Sequence, residues 1–105
     1  ESVVASLGAA TGALGIPAAE GVRTRRMRRR WGSWLPSGII ILNSELLGAP
    51  RECVEYVVAH ELCHLKEANH SRRFYALMTR VIPDWKELRR RLNREAPLGF
   101  LEPPG

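Results

Sequence analysis

Apolar residues recur at helical spacing along two long stretches of the chain. In residues 2–14 they form a stripe, and Gly15 follows as a residue that commonly ends a helix. The second stretch, residues 50–68, opens on a proline, which suits the first helical position. Asn69 then tolerates the left-handed backbone conformation in which many helices end. The pattern predicts one helix in each stretch and a reversal of the chain at Asn69.

Two further helices are predicted in the last third of the chain. Ser71 is a suitable N-cap for a helix with apolar residues at helical spacing, which Pro83 interrupts. A last helix follows, with Trp85 as its first apolar residue. Residues 96–105 are rich in proline and glycine, and we expect a loose tail there.

The segment between the first two helices has the character of strands. Residues 22–34 look extended, Pro36-Ser37-Gly38 is a turn signal, and Ile39–Leu42 is a β-branched run that suits a buried strand. These features predict an antiparallel β-hairpin placed before the second helix. The fold class predicted for the chain is therefore α+β.

Length and composition indicate one globular domain spanning residues 1–105. The chain has 105 residues, of which 45% are hydrophobic and 26% charged, as in ordinary folded proteins. No apolar run approaches the roughly 20 residues that a membrane span requires. Two cysteines, Cys53 and Cys63, would lie about 15 Å apart on one helix, beyond the roughly 7 Å limit for a disulfide. Free thiols point to the reducing cytoplasm.

The net charge of +5 is concentrated in a run of arginines between residues 23 and 30. The run consists of Arg23, Arg25, Arg26, Arg28, Arg29 and Arg30. Such density can attract nucleic-acid phosphates, and it can equally be the solvated face of a strand. Nucleic-acid binding therefore stays open as an alternative function, expected to be weak and independent of sequence.

The segment that carries chemistry is His60-Glu61-Leu62-Cys63-His64. Two histidines four residues apart stand on one face of a helix and can share a zinc ion at about 2.0–2.1 Å. Glu61 misses the metal but can reach a water that the metal activates, and can act as its general base. A catalytic zinc takes three protein ligands and keeps one position open. His70 is the candidate third ligand if the chain reverses at Asn69.

These residues and their surroundings resemble the YgjP-type metallopeptidase family, which is related to SprT-like and other zincin peptidases. The resemblance rests on Arg30-Trp31-Gly32-Ser33, Ile41-Leu42-Asn43, Tyr56–His64, Asn69-His70-Ser71, Phe74 and Pro83-Asp84-Trp85. It covers roughly residues 20–95.

The resemblance implies a zincin-like fold, with the hairpin beside the active-site helix. It implies one zinc ion held by His60, His64 and His70, with Glu61 as base, and a peptide or protein substrate. This chain departs from the family by having Trp34 where a cysteine is usual. Members are usually longer at the N-terminus, so the chain is expected to be the catalytic C-terminal part of a longer protein.

Some residues near the motif keep two interpretations. Trp31 and Trp34 could line a substrate groove or pack in the hairpin, and the carboxylate of Glu67 or Asp84 could orient a ligand histidine. A structural zinc module without activity is a further alternative, although such a site has no use for Glu61. The sequence does not indicate the oligomeric state, the natural substrate or the group that stabilises an oxyanion.

Overall fold

The computed structural model describes residues 2–95, which form a mixed arrangement of helices around a small sheet. In chain order the elements are α1 (Ser2–Ala13), β1 (Gly21–Arg25), β2 (Gly32–Trp34), β3 (Ile39–Asn43), a 3₁₀ helix (Ser44–Gly48), α2 (Arg51–His64), α3 (Arg72–Val81) and α4 (Trp85–Glu95). The predicted α+β class is confirmed. The predicted loose tail, 96–105, lies outside the described residues.

Helix α2 lies at the centre of the fold. It packs against α1, β2, β3, α3 and α4, so its neighbours surround it. Its buried residues include Cys53 and the continuous run Tyr56–His64. A helix enclosed in this way is the core of the domain, and any polar side chain on it must find its partners inside the protein.

The three strands form one sheet in the order β1-β3-β2, which corrects the predicted hairpin in part. β2 pairs with β3 antiparallel, and this pair is the predicted hairpin beside the active-site helix. β1, however, pairs with the other side of β3 and runs parallel to it. The prediction of a single extended segment over residues 22–34 is wrong. This part of the chain forms two strands, because residues 26–31 leave the sheet after β1 and cross the end of β3 before β2 begins.

Asn43, the last residue of β3, holds this crossing segment in place. Its side-chain amide donates hydrogen bonds to the carbonyls of Met27, at 2.8 Å, and Arg30, at 2.7 Å. Its side-chain oxygen accepts from the backbone N–H of Glu45, at 3.0 Å. Asn43 is fully buried. One side chain therefore satisfies three backbone groups that the crossing and the following turn would otherwise leave without partners.

The end of α2 also differs from the prediction. The helix ends at His64 rather than near Ala68, and no non-glycine residue among 2–95 has a positive φ. Asn69 is therefore not left-handed, and that prediction is wrong. The chain turns instead through a tight last turn, in which the N–H groups of Lys66 and Glu67 both donate to the carbonyl of Cys63.

Other predictions about the chain ends of the elements are confirmed. Gly15 is left-handed, with φ 78°, and lies two residues after the end of α1 at Ala13. The Ser71 hydroxyl caps α3 by accepting from the N–H of Phe74, at 3.3 Å. Cys53 and Cys63 are buried and form no disulfide. None of the helices in residues 2–95 is long and apolar enough to cross a membrane.

The Asn43→Ala variant should lower the free energy of unfolding by about 2–4 kcal/mol, because several buried backbone groups lose their only side-chain partner and each costs about 1–3 kcal/mol. Urea unfolding monitored by circular dichroism measures this. Asn69→Ala is the matched control. Asn69 is exposed and its backbone is not left-handed, so the change should stay within about 0.5 kcal/mol. Equal effects of the two variants would contradict the role given to Asn43.

Candidate metal centre

Three histidine side chains converge at one point beside α2. His60 and His64 project from the same face of α2, one turn apart, and His70 lies in the loop between α2 and α3. The Nε2 atom of His70 is 3.1 Å from Nε2 of His60 and 3.0 Å from Nε2 of His64. The ligand atoms all lie within 4.8 Å of one another. The three histidines predicted from the sequence are therefore brought together.

The arrangement of these nitrogens fits a metal ion. Nitrogens bound to a tetrahedral zinc at about 2.0–2.1 Å would stand about 3.3–3.4 Å apart. The observed separations of 3.0 and 3.1 Å are close to this. A hydrogen bond does not account for the geometry equally well, since one ring N–H of His70 can be donated to only one of its two neighbours. A cation would instead accept a lone pair from all three rings.

A backbone carbonyl fixes which nitrogen of His64 faces the centre. His64 Nδ1 lies 3.2 Å from the carbonyl oxygen of Glu67. A carbonyl can only accept, so Nδ1 carries the proton and Nε2 keeps its lone pair. Burial lowers the pKa of His64, which favours the same neutral form. From the sequence, the carboxylate of Glu67 or Asp84 was one candidate for this role, beside the alternative that both are solvated. In the structure the backbone carbonyl of Glu67 contacts His64 instead.

Two aromatic rings stack on His64. Trp34 stacks on one face of His64, with ring centroids 5.4 Å apart and an angle of 11°. Phe74 stacks on His64 at 4.4 Å and 27°, and also packs against His60 and His70. Trp34 thus packs on the ligand cluster itself. The sequence did not indicate that Phe74 contacts all three histidines.

Glu61 is fully buried beside this centre. Its side chain has 0% exposure, and neither carboxylate oxygen has a hydrogen-bond partner among the described residues. Burial raises the pKa of Glu61 to about 8, and the Arg30 guanidinium opposes this rise. Arg30 is therefore electrostatically coupled to Glu61, although from the sequence it stood out only in the arginine run and in the Arg30–Ser33 segment of the family resemblance. A buried carboxylate without hydrogen-bond partners is costly, which makes Glu61 a candidate functional residue.

Gly32 makes room for Glu61. A Cβ atom at position 32 would lie 2.8 Å from Cγ1 of Val57 and 3.0 Å from Oε2 of Glu61. The absence of a side chain therefore lets β2 approach α2 at the level of the carboxylate. In the sequence, the Trp-Gly-Ser segment stands out only through the family resemblance, which does not indicate this steric role of Gly32. A glycine at the start of a strand was the available signal.

Comparisons with known proteins identify the family of the chain and a structure with a similar fold. A family model described as "YgjP-like, metallopeptidase domain" matches residues 1–95. Among solved structures, the chain is similar to the crystal structure of the metallopeptidase zymogen of Pyrococcus abyssi abylysin, with 28% sequence identity and a TM-score of 0.76. That match covers 89% of this chain and 93% of the other. None of the curated proteins matches the sequence significantly.

The Gly32→Ala variant should lower the free energy of unfolding by about 1–3 kcal/mol, as overpacking does, and should displace Glu61. Val57 is β-branched and lies within a helix, so it has little freedom to move away. Gly48→Ala is the matched control, because an added Cβ there meets no atom within 4 Å. Chemical denaturation of both variants tests this. A Gly32→Ala protein as stable as the Gly48→Ala protein would refute the close approach.

Proposed function

Because the chain belongs to the YgjP-like metallopeptidase family, we propose that it is a zinc-dependent peptidase in which His60, His64 and His70 hold one zinc ion and Glu61 is the general base. The observation that carries this proposal is the convergence of three histidine ligand atoms within 4.8 Å of one another, with Nε2 of His70 at 3.1 and 3.0 Å from Nε2 of His60 and His64. Neutral imidazole donors without thiolates suit zinc among the common divalent ions.

A zinc ion bound here would lower the pKa of a water molecule to about 7 and polarise a peptide carbonyl. The residues of the chain supply what the metal does not. His60, His64 and His70 would hold the zinc ion, and three protein ligands are the number typical of a catalytic zinc, which keeps a position open for water or substrate. Glu61 follows His60 on α2, and its two oxygens accept no hydrogen bond from the described residues, so it can take a proton and return it to the leaving amine.

The packing around the site supports the same roles. The carbonyl of Glu67 holds the tautomer of His64, and the rings of Trp34 and Phe74 hold its orientation. Metal affinity depends on such supporting contacts, because a ligand that is already oriented loses less entropy on binding. The buried thiols of Cys53 and Cys63 support the proposal that the enzyme works in the reducing cytoplasm.

Weak nucleic-acid binding by the arginine run is a second candidate. All six arginines are exposed, and none joins an ion pair described within residues 2–95. β1 is an edge strand, so Arg23 and Arg25 are accessible from the side of the sheet. Contacts of this kind release counterions, so the affinity would fall steeply with salt. Nucleic-acid binding by the arginine run does not exclude peptidase chemistry, because it would not involve the three histidines.

The purified protein should contain one zinc ion per chain, measured by elemental analysis without added metal. The double variant His60→Ala, His64→Ala should contain almost none, because a single histidine cannot replace a three-ligand site. Trp34 stacks on His64 and gives an optical readout: its emission should change when a chelator removes the metal from the parent protein. Stoichiometric zinc in the double variant would show that the metal lies elsewhere.

The Glu61→Gln variant should keep its zinc and lose peptide hydrolysis by a factor of about 10²–10⁴, since glutamine has the size of glutamate but cannot take a proton. The rate on a cleaved peptide and the zinc content are measured together. Glu67→Gln is the control, because only the backbone carbonyl of Glu67 contacts the site, and its rate should be nearly that of the parent. Unchanged turnover in Glu61→Gln would remove Glu61 from the mechanism.

A further inference from the structure

A concave surface lies between α3 and α4, next to the three histidines. This surface, the α3–α4 groove, has a volume of about 640 Å³. It is lined by Arg72, Tyr75, Ala76 and Thr79 from α3 and by Trp85, Lys86 and Arg89 from α4. Its volume is typical of sites that bind small ligands or single side chains.

The groove is joined to the metal centre by a row of aromatic rings. Tyr75 stacks on His70, with ring centroids 6.0 Å apart, and on Trp85, with centroids 5.1 Å apart. The Trp85 indole N–H donates to the Thr79 hydroxyl, at 3.0 Å, and this hydroxyl donates to the carbonyl of Tyr75, at 2.8 Å. These bonds hold the row in place. An extended chain rises about 3.3 Å per residue, so the row from His70 to Trp85, with its separations of 6.0 and 5.1 Å, spans about three residues. A peptide whose cleaved bond lies at the histidines would therefore reach the groove about three residues away.

The charge of the groove is strongly positive. Three cationic side chains line it, Arg72, Lys86 and Arg89, and its lining includes no carboxylate. The ion pairs described for residues 2–95 involve none of these three. The nearby acid, Glu87, pairs with Arg90 at 2.7 Å instead of entering the groove. The cationic groups are thus left to bind an anion from outside the protein.

The rings in the groove do not offer open faces. Trp85 has 6% exposure, and Arg89 and Lys86 lie over its ring at 5.1 and 5.7 Å. Tyr75 is half-buried and already stacks on both His70 and Trp85. Single-stranded nucleic acids are held by stacking bases on free aromatic faces. The groove lacks such a platform, so a carboxylate held by the cations fits it better than a nucleotide does.

We propose that the α3–α4 groove is a specificity subsite that selects peptide substrates with an aspartate or glutamate about three residues from the cleaved bond. This rests on the proposed peptidase function and adds a substrate class to it. Arg72, Lys86 and Arg89 bind the substrate carboxylate, and the row from Tyr75 to His70 sets the distance between that carboxylate and the cleaved bond.

The test uses the zinc-loaded protein and a synthetic peptide library of random sequence, with cleavage sites read by mass spectrometry. Acidic residues should be enriched at one position about three residues from the cleaved bond. For a peptide pair that differs only by Glu or Gln at that position, kcat/KM should favour Glu. The preference should fall by up to about fivefold for each neutralised charge, as expected for partly exposed ion pairs, and it should weaken in raised salt.

Lys86→Gln and Arg72→Gln should each reduce the preference for Glu, and Lys86→Glu should abolish or reverse it. Both side chains are exposed, so the variants should fold. Arg80→Gln is the matched control, because Arg80 is an exposed arginine of α3 outside the groove. Cleavage without acidic preference, or a preference that Lys86→Glu leaves unchanged, would overturn the proposal while leaving the peptidase function intact.

A binding arm separates the two proposals if no peptide is cleaved. A fluorescent peptide of alternating Gly and Glu should bind the parent protein more tightly than its Gly and Gln counterpart, and Lys86→Glu should remove the difference. That result would support the groove and count against the peptidase function. No difference in binding would refute the groove. Displacement of the acidic peptide by a single-stranded oligonucleotide that binds more tightly, and loses affinity in Lys86→Glu, would make nucleic acid the occupant and also overturn the proposal.

Discussion

Helix α2 must bury two imidazoles and a carboxylate in the centre of the domain. His60, Glu61 and His64 are each at most 2% exposed, and the apolar residues around them belong to the main core. Burial of polar groups is favourable only when partners replace the lost water. For the two histidines that partner is His70, returned by the loop after α2, and the proposed zinc ion would join all three. For Glu61 no hydrogen-bond partner is found among the described residues, which leaves its carboxylate available for the proposed role as general base.

The surroundings of Glu61 depend on the segment that connects β1 to β2, residues 26–31. Asn43 holds residues 26–31 across the end of β3, so that β2 begins on the side of β3 that faces α2. Gly32, the first residue of β2, then approaches Glu61 closely because it has no side chain. The same crossing segment places Arg30 where its charge is felt at Glu61. The backbone interactions of a loop therefore control the surroundings of the proposed general base.

Aromatic packing connects the metal centre with the surface. Phe74 touches all three histidines, and Tyr75, the next residue, stacks on His70 and Trp85. Because α3 carries both rings, this helix orients the histidine cluster and also forms one wall of the α3–α4 groove. If the α3–α4 groove binds substrate as proposed, this sharing would couple substrate binding to the geometry of the histidine cluster.

The sequence by itself determined the features that depend on local geometry. The spacing of His60 and His64 places both on one face of any α-helix, and the caps at Gly15 and Ser71 follow from backbone chemistry within a few residues. Tertiary structure decided the rest. The extended character of residues 22–34 is the same for parallel and antiparallel pairing, so only the distant hydrogen bonds of Asn43 separate β1 from β2. A left-handed Asn69 was expected to return His70 to the other two histidines. A tight last turn of α2 returns it instead, since several backbone conformations can bring a residue to the same place. The carbonyl of Glu67 could not be foreseen, because every residue carries a backbone carbonyl and only folding decides which one meets His64. The α3–α4 groove arises in the same way, from charges on two helices that become neighbours only when both pack against α2.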